Sequence, residues 1–264
     1  MSLPNNEELT TEQLLHAQAH VWNHLFSFIN SISLKCAVQL RIPDIIHNHG
    51  KPMTLSQLLD ALPIPHVKSP FLYRLMRILL HSEFFVKIDV SDNDEDERYW
   101  LTPASLLLLR NAPLTVAPIV QLVLDPLMAK PFDHISEWLV SGSHSTAFEM
   151  VHGRTLWELA GQEPGLNNLF NEATSSDSRV LAHVLLRDCK YVFEGIKSLV
   201  DVGGGTGTTA KAIGDAFPNM KCIVLDLPHV VFGMEGTNSL TYVAGDMFEA
   251  IPSVDVVFLK VQKF

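Results

Sequence analysis

The segment Leu199-Val-Asp-Val-Gly-Gly-Gly-Thr-Gly207 constrains this chain more than any other. Its first four residues suit a short buried strand, and the glycines that follow let the backbone turn tightly and leave N–H groups open to close approach. Beyond the loop Ala210, Ile213 and Phe217 recur at helical spacing, and Pro218 stops the helix. Cys222-Ile-Val-Leu-Asp226, Leu240-Thr-Tyr-Val-Ala244 and Asp255-Val-Val-Phe-Leu-Lys260 are further short apolar runs. Strand, loop, helix and strand form a βαβ unit, the opening of a doubly wound, Rossmann-like parallel sheet. The glycine loop then stands at the carboxyl end of a strand, where such sheets bind ligands.

Asp226 ends the second strand, where a carboxylate accepts hydrogen bonds from ribose hydroxyls. A nicotinamide cofactor would use the same loop and the same acid. Three details favour S-adenosylmethionine. The loop is G-G-G-T-G, not the wider G-x-G-x-x-G whose last glycine packs under a pyrophosphate. Asp201, just before the loop, suits a cationic ligand better than a pyrophosphate. Gly245-Asp-Met-Phe248 after the third strand offers Asp246 to an adenine amino group and Met247 to the ring face, although Asp246 also reads as a helix N-cap.

Upstream the pattern is different. Thr10 and Thr11 precede Glu12 as the capped start of a long helix running toward Leu40. Leu14, Leu15, Val21, Trp22, Leu25, Phe26, Phe28, Ile29 and Ile32 fall on more than one stripe of it, so it is deeply buried or lies against a partner chain. Pro43 is expected to break the pattern before a short segment at Ile45-Ile46. Residues 54–60 and 70–80 read as helices, and 84–90 and 98–101 as strands. Together they make a winged-helix pattern, a fold that also serves DNA binding. Against that use, the loop Ser91-Asp-Asn-Asp-Glu-Asp-Glu97 carries five acids and no base where phosphate contacts need Lys and Arg. A structural or dimerising module is expected instead. Residues 113–187 are helical, with Trp138, Phe148, Met150, Trp157 and Phe170 available to line an aromatic-friendly pocket or to fill a core.

The resulting division is an all-α, winged-helix dimerisation domain at 1–110, a helical linker and acceptor-pocket region at 111–190, and the first half of a Rossmann-like cofactor domain at 191–264. Hydrophobic residues at 47% and charged residues at 18% fit a globular chain. The net charge of −10 argues against nucleic acid and for a cytoplasmic protein. Cys36, Cys189 and Cys222 are scattered and odd in number, which suggests neither a disulfide framework nor a metal site. The N-terminus, Met1-Ser-Leu-Pro-Asn-Asn-Glu-Glu8, does not read as a signal peptide, and no apolar run approaches the ~18 residues of a membrane span.

The chain resembles the plant small-molecule O-methyltransferases of the caffeic-acid, isoflavone and stilbene type. The resemblance rests on Leu14 to His24, Ile42-Pro-Asp-Ile-Ile46, Tyr73 to Leu79, Phe170-Asn-Glu-Ala173, Leu199 to Gly207, Leu225-Asp-Leu-Pro-His-Val230 and Gly245-Asp-Met-Phe248. It implies S-adenosyl-L-methionine as cofactor, with Gly203, Gly205 and Gly207 in its loop, Asp226 on the ribose, Asp246 and Met247 on the adenine, and Lys260 completing the set. It implies a phenolic small-molecule acceptor and a homodimer formed through the N-terminal domain.

In that family the lysine is followed by Trp-x-x-His-Asp-Trp, whose histidine is the general base. Here Lys260 is followed by Val261-Gln-Lys-Phe264, so Phe264 stands in the position of the base and no catalytic residue is assigned. Four strands are legible where the family sheet has seven, and the apolar fourth strand is expected to be a bare edge. The chain therefore reads as C-terminally truncated and inactive alone. The alternative is a non-catalytic isoform that binds the cofactor or pairs with full-length subunits.

Overall fold

Thr10 opens the first helix with a capping box: the Gln13 amide donates to the Thr10 hydroxyl, and the Thr10 amide donates to the Gln13 side chain. In the computed structural model, which describes residues 9–88 and 97–260, this helix is α1 (Thr11–Leu25), and a second, α2, spans Phe28–Gln39. The single helix expected from Thr10 toward Leu40 is thus two. The Ser27 hydroxyl turns back to donate to the His24 carbonyl at 2.8 Å, competing with the helical ladder at the junction.

A second correction concerns Pro43. It does not break a helix but sits in the first turn of α3 (Ile42–His49), where its missing N–H would have had no helical partner. Arg41, at φ 58°, makes the corner before it, and Gly50, at φ 76°, ends the helix in the left-handed region. The chain continues through β1 (Met53–Thr54), α4 (Leu55–Ala61), α5 (Ser69–His81), β2 (Phe85–Ile88), β3 (Arg98–Leu101) and α6 (Pro103–Leu106). The strands form an antiparallel sheet in the order β1-β3-β2, with Met53 opposite Tyr99 and Phe85 opposite Leu101. The helices and hairpin of the winged pattern are present, with β1 as a third strand. Most of the acidic loop lies outside the described residues.

Ile42, Ile46, Leu58, Met76, Leu79, Phe85 and Tyr99 are buried together beneath this sheet. Each large apolar side chain so buried contributes about 1.5–3 kcal/mol. None of the residues of α1 is buried, and its apolar Leu14, Leu15, Val21, Trp22 and Leu25 are all exposed. A lone helix of that length is marginal in water, so its stability has to come from a surface it covers.

The chain divides between Leu106 and Leu107 into two compact units. The second begins with α7 (Ala117–Val123), α8 (Pro126–Ala129), α9 (Ile135–Val140), α10 (Ala147–His152) and α11 (Leu156–Gln162), followed by α12 (Pro164–Asp188). Then come β4 (Ser198–Val202), α13 (Thr208–Ala216), β5 (Lys221–Asp226), α14 (Pro228–Val231), β6 (Leu240–Ala244) and β7 (Val256–Leu259). The four strands are parallel in the order β6-β5-β4-β7, the doubly wound arrangement expected. Leu199, Ala210, Ile213, Cys222, Val224 and Leu240 pack in one core, while Val200, Val202 and Leu225 centre a smaller one. Asp255 accepts from the Lys197 and Ser198 amides at 3.0 Å each, tying the start of β7 to that of β4. In the described sheet β7 pairs with β4 alone, and its Val257 and Leu259 are exposed. Among the described residues, no helix is long and apolar enough to cross a membrane.

Candidate cofactor site

The loop between β4 and α13 is built on backbone that only glycine adopts easily. Gly203 has φ +66° and Gly205 φ +59°, and a side chain built on either would meet nothing within 4 Å. The space above these two residues is open, so a ligand can lie directly on the backbone. Gly207 faces the other way: a Cβ there would come 2.7 Å from the Tyr242 hydroxyl.

Asp226 joins the loop to the next strand. One carboxylate oxygen accepts from the Gly205 amide at 2.7 Å and the other from the Leu227 amide at 2.7 Å. The Gly203 amide donates to the Leu225 carbonyl at 2.8 Å, which fixes where the loop leaves the sheet. Asp226 and Gly205, both expected at the cofactor site, are thereby brought together.

Asp246 and Met247 follow β6, whose Ala244 is level with Asp226. Asp246 accepts from the Phe248 amide at 2.9 Å within a turn, and no helix follows it before β7, so the N-cap alternative is not what the structure shows; Met247 is 42% exposed. Lys260 follows β7 on the opposite side of β4. It pairs with Asp177 at 2.6 Å and donates to Ser178 at 3.0 Å, both on α12. The strand order puts the glycine loop between the Asp226 and Asp246 side and the Lys260 side.

Asp201 is not presented to the open side of the loop. It is 3% exposed, and a Cβ on Gly204 would lie 2.8 Å from its carboxyl carbon. Burial pushes its pKa up to about 7; a hydrogen bond from the Ala210 amide opposes the rise, Asp226 adds to it and Lys260 opposes it.

Of the aromatic residues between 113 and 187, Trp157 and Phe170 meet edge to face at 5.3 Å, and Trp157 is 52% exposed, so this pair is no core plug. Phe148 lies against His152 at 4.4 Å. Phe264 lies outside the described residues.

Sequence reasoning missed the part of α12 that faces the loop. Ser175 shares a 2.8 Å hydrogen bond with Thr206, and Asp177 and Ser178 hold Lys260. The signal available was Thr174-Ser-Ser-Asp-Ser178, five polar residues in a row within a helix.

This donor set fits S-adenosylmethionine: an open glycine cradle, a carboxylate bonded to its rim, and an exposed methionine one strand over. The comparisons agree. The O-methyltransferase dimerisation domain family matches residues 22–111, and the O-methyltransferase domain family matches residues 132–262. Chavicol O-methyltransferase of Ocimum basilicum is 57% identical over 261 residues, covering 98% of this chain and 73% of that protein. Trans-resveratrol di-O-methyltransferase of Vitis vinifera is 54% identical over 260 residues, 98% of this chain and 72% of that one. The human N-acetylserotonin methyltransferase, solved in complex with S-adenosylmethionine, shares the fold at a TM-score of 0.72 and 17% identity, covering 97% of this chain and 72% of that one. The chain belongs to the plant small-molecule O-methyltransferases, S-adenosylmethionine-dependent enzymes with a dimerisation domain ahead of a methyltransferase domain.

Proposed function

We propose that this chain binds S-adenosylmethionine across Gly203, Gly205 and Gly207 and serves methyl transfer to the hydroxyl of a phenylpropanoid, stilbene or flavonoid. The observation that carries the reading is the Asp226–Gly205 hydrogen bond beneath open space, since a bound ribose needs both the acid and the room. The cofactor supplies an electrophilic methyl group on a sulfonium. The residues of the chain bind and orient: Asp226 holds the ribose, Asp246 and Met247 the adenine, and Lys260, fixed by Asp177 and Ser178, closes the other flank. Trp157 and Phe170 offer an aromatic edge suited to a flat acceptor. Residues 1–110 serve as the dimerisation domain, 111–190 as the acceptor side and 191–264 as the cofactor half.

A phenol has a pKa near 10, like tyrosine, and must lose its proton as its oxygen is methylated. The carboxylates around the loop are poorly placed to take it. Asp226 accepts two amides and, in this reading, the ribose as well, Asp246 accepts the Phe248 amide, Asp177 is paired with Lys260, and Asp201 is buried. We therefore read the 264-residue polypeptide, used by itself, as a cofactor binder that turns phenols over slowly. The second reading, a non-catalytic chain that dimerises with full-length subunits, is favoured by the exposed apolar stripe of α1. We further read the protein as a cytoplasmic homodimer without a nucleic-acid partner, in keeping with its net charge of −10.

Titration calorimetry with S-adenosylmethionine, S-adenosylhomocysteine and NADH tests the cofactor. Tight binding of the first two and none of NADH is expected. The reverse order would overturn the reading.

A further inference from the structure

Thr206 is held from two directions. The Tyr242 hydroxyl, on β6, donates to the Thr206 carbonyl at 3.0 Å, and Ser175, on α12, shares a 2.8 Å hydrogen bond with the Thr206 hydroxyl. The tyrosine comes so close that only glycine fits at position 207. The same helix holds Lys260 through Asp177 and Ser178, so α12 grips both the loop after β4 and the end of β7.

A loop of four glycines and one threonine loses more backbone freedom on ordering than a loop of ordinary residues would. If that ordering happened only on binding, it would weaken affinity; if it is done beforehand, the ligand meets a ready surface. Thr206 is the one residue of the loop with a side chain to hold, and it is held at both its hydroxyl and its carbonyl.

We propose that Tyr242 and Ser175 are positioning residues for the cofactor, clamping Thr206 so that the Gly203–Gly205 backbone is preorganised before the ligand arrives. The proposal rests on the cofactor reading above for the identity of the ligand, but the clamp itself is made of protein atoms alone. Neither residue touches the open face of the two glycines: Tyr242 packs behind Gly207 and Ser175 approaches through the Thr206 side chain.

The test uses the whole chain with Tyr242→Phe, Ser175→Ala and Ser175→Thr. Two quantities are read: affinity for S-adenosylhomocysteine by calorimetry, and amide hydrogen exchange at residues 203–207 without ligand. Removing either hydroxyl should weaken binding roughly three- to tenfold, the effect of one hydrogen bond. It should also speed exchange in the loop at least about tenfold while strand β5 stays protected. Ser175→Thr, which keeps the hydroxyl, should restore both. Unchanged loop exchange in Tyr242→Phe and Ser175→Ala would overturn the clamp. Loss of protection throughout β5 as well would overturn it too, by showing a merely structural role. If the parent chain takes up no S-adenosylhomocysteine, the cofactor reading fails, while the exchange measurement still decides the clamp.

Discussion

The Gly205 amide donates to the Asp226 carboxylate at 2.7 Å, so the cofactor loop after β4 and the last residue of β5 are one hydrogen-bonded unit. An acid in that position organises the loop and, in the proposed reading, also accepts from the cofactor's ribose, because a carboxylate oxygen has more than one lone pair. Asp226→Ala should therefore weaken S-adenosylmethionine binding by roughly 1–3 kcal/mol, the loss of hydrogen bonds to an ionised acceptor. Asp226→Asn, which keeps one acceptor, should fall between. Calorimetry on the three proteins decides it, and an unchanged affinity removes Asp226 from the site.

Asp201 makes stability depend on pH. Its folded pKa of about 7 lies above that of an unfolded aspartate, so the folded chain holds a proton that the unfolded chain has released. From roughly pH 4 to 7, stability should fall at this group as pH rises, and level off above. Asp201→Asn removes the ionisation and should flatten that slope, giving a more stable chain at pH 8 than the parent, by at most a few kcal/mol. Urea midpoints measured from pH 5 to 8.5 test this; parallel curves for the two proteins would refute it.

The apolar stripe of α1 predicts a dimer that one charge can open. Trp22, 56% exposed, and Leu25, 59% exposed, are large side chains on a helix that has no buried residue. Trp22→Asp or Leu25→Asp should convert the chain to a monomer at tens of micromolar by sedimentation, without unfolding the winged unit, whose core both residues leave untouched. A dimer that survives both changes means another surface carries the contact.

For catalysis, the expectation is transfer of labelled methyl to resveratrol, an isoflavone or caffeic acid by the 264-residue polypeptide at ~10²–10⁴-fold below a relative with an intact general base. Phe264→His should recover little of it, because a proton acceptor without a positioned acceptor molecule leaves orientation unsupplied. Turnover at the rate of such a relative would refute the slow-enzyme reading.

The parallel sheet was legible because each strand is a short apolar run bounded by Gly, Pro or Asp, and the loop because its glycines fall directly after one of them. The break at Phe26 and Ser27 was not, since apolar residues continue through it from Leu25 to Ile29 and only a serine hydroxyl ends the ladder. Pro43 was misread because a proline in a first helical turn and one that ends a helix look alike until the corner at Arg41 is known. Ser175, Tyr242 and the pairing of Lys260 with Asp177 were invisible for another reason. Their partners lie far along the chain, 82 residues away for the Lys260–Ser178 bond, and depend on how α12 sits on the sheet. Asp201 was recognised as acidic and misplaced, because the sequence does not say that Gly204 lies over its carboxyl group.

An N-terminal helix that buries nothing in its own chain makes folding partly a bimolecular event. The helicity of residues 11–25 should then vary with protein concentration, falling on dilution while the winged unit behind it stays intact. In a cell that makes little of this protein, the arm would spend its time unwound and open to proteases, and abundance itself would set how much of each molecule is folded.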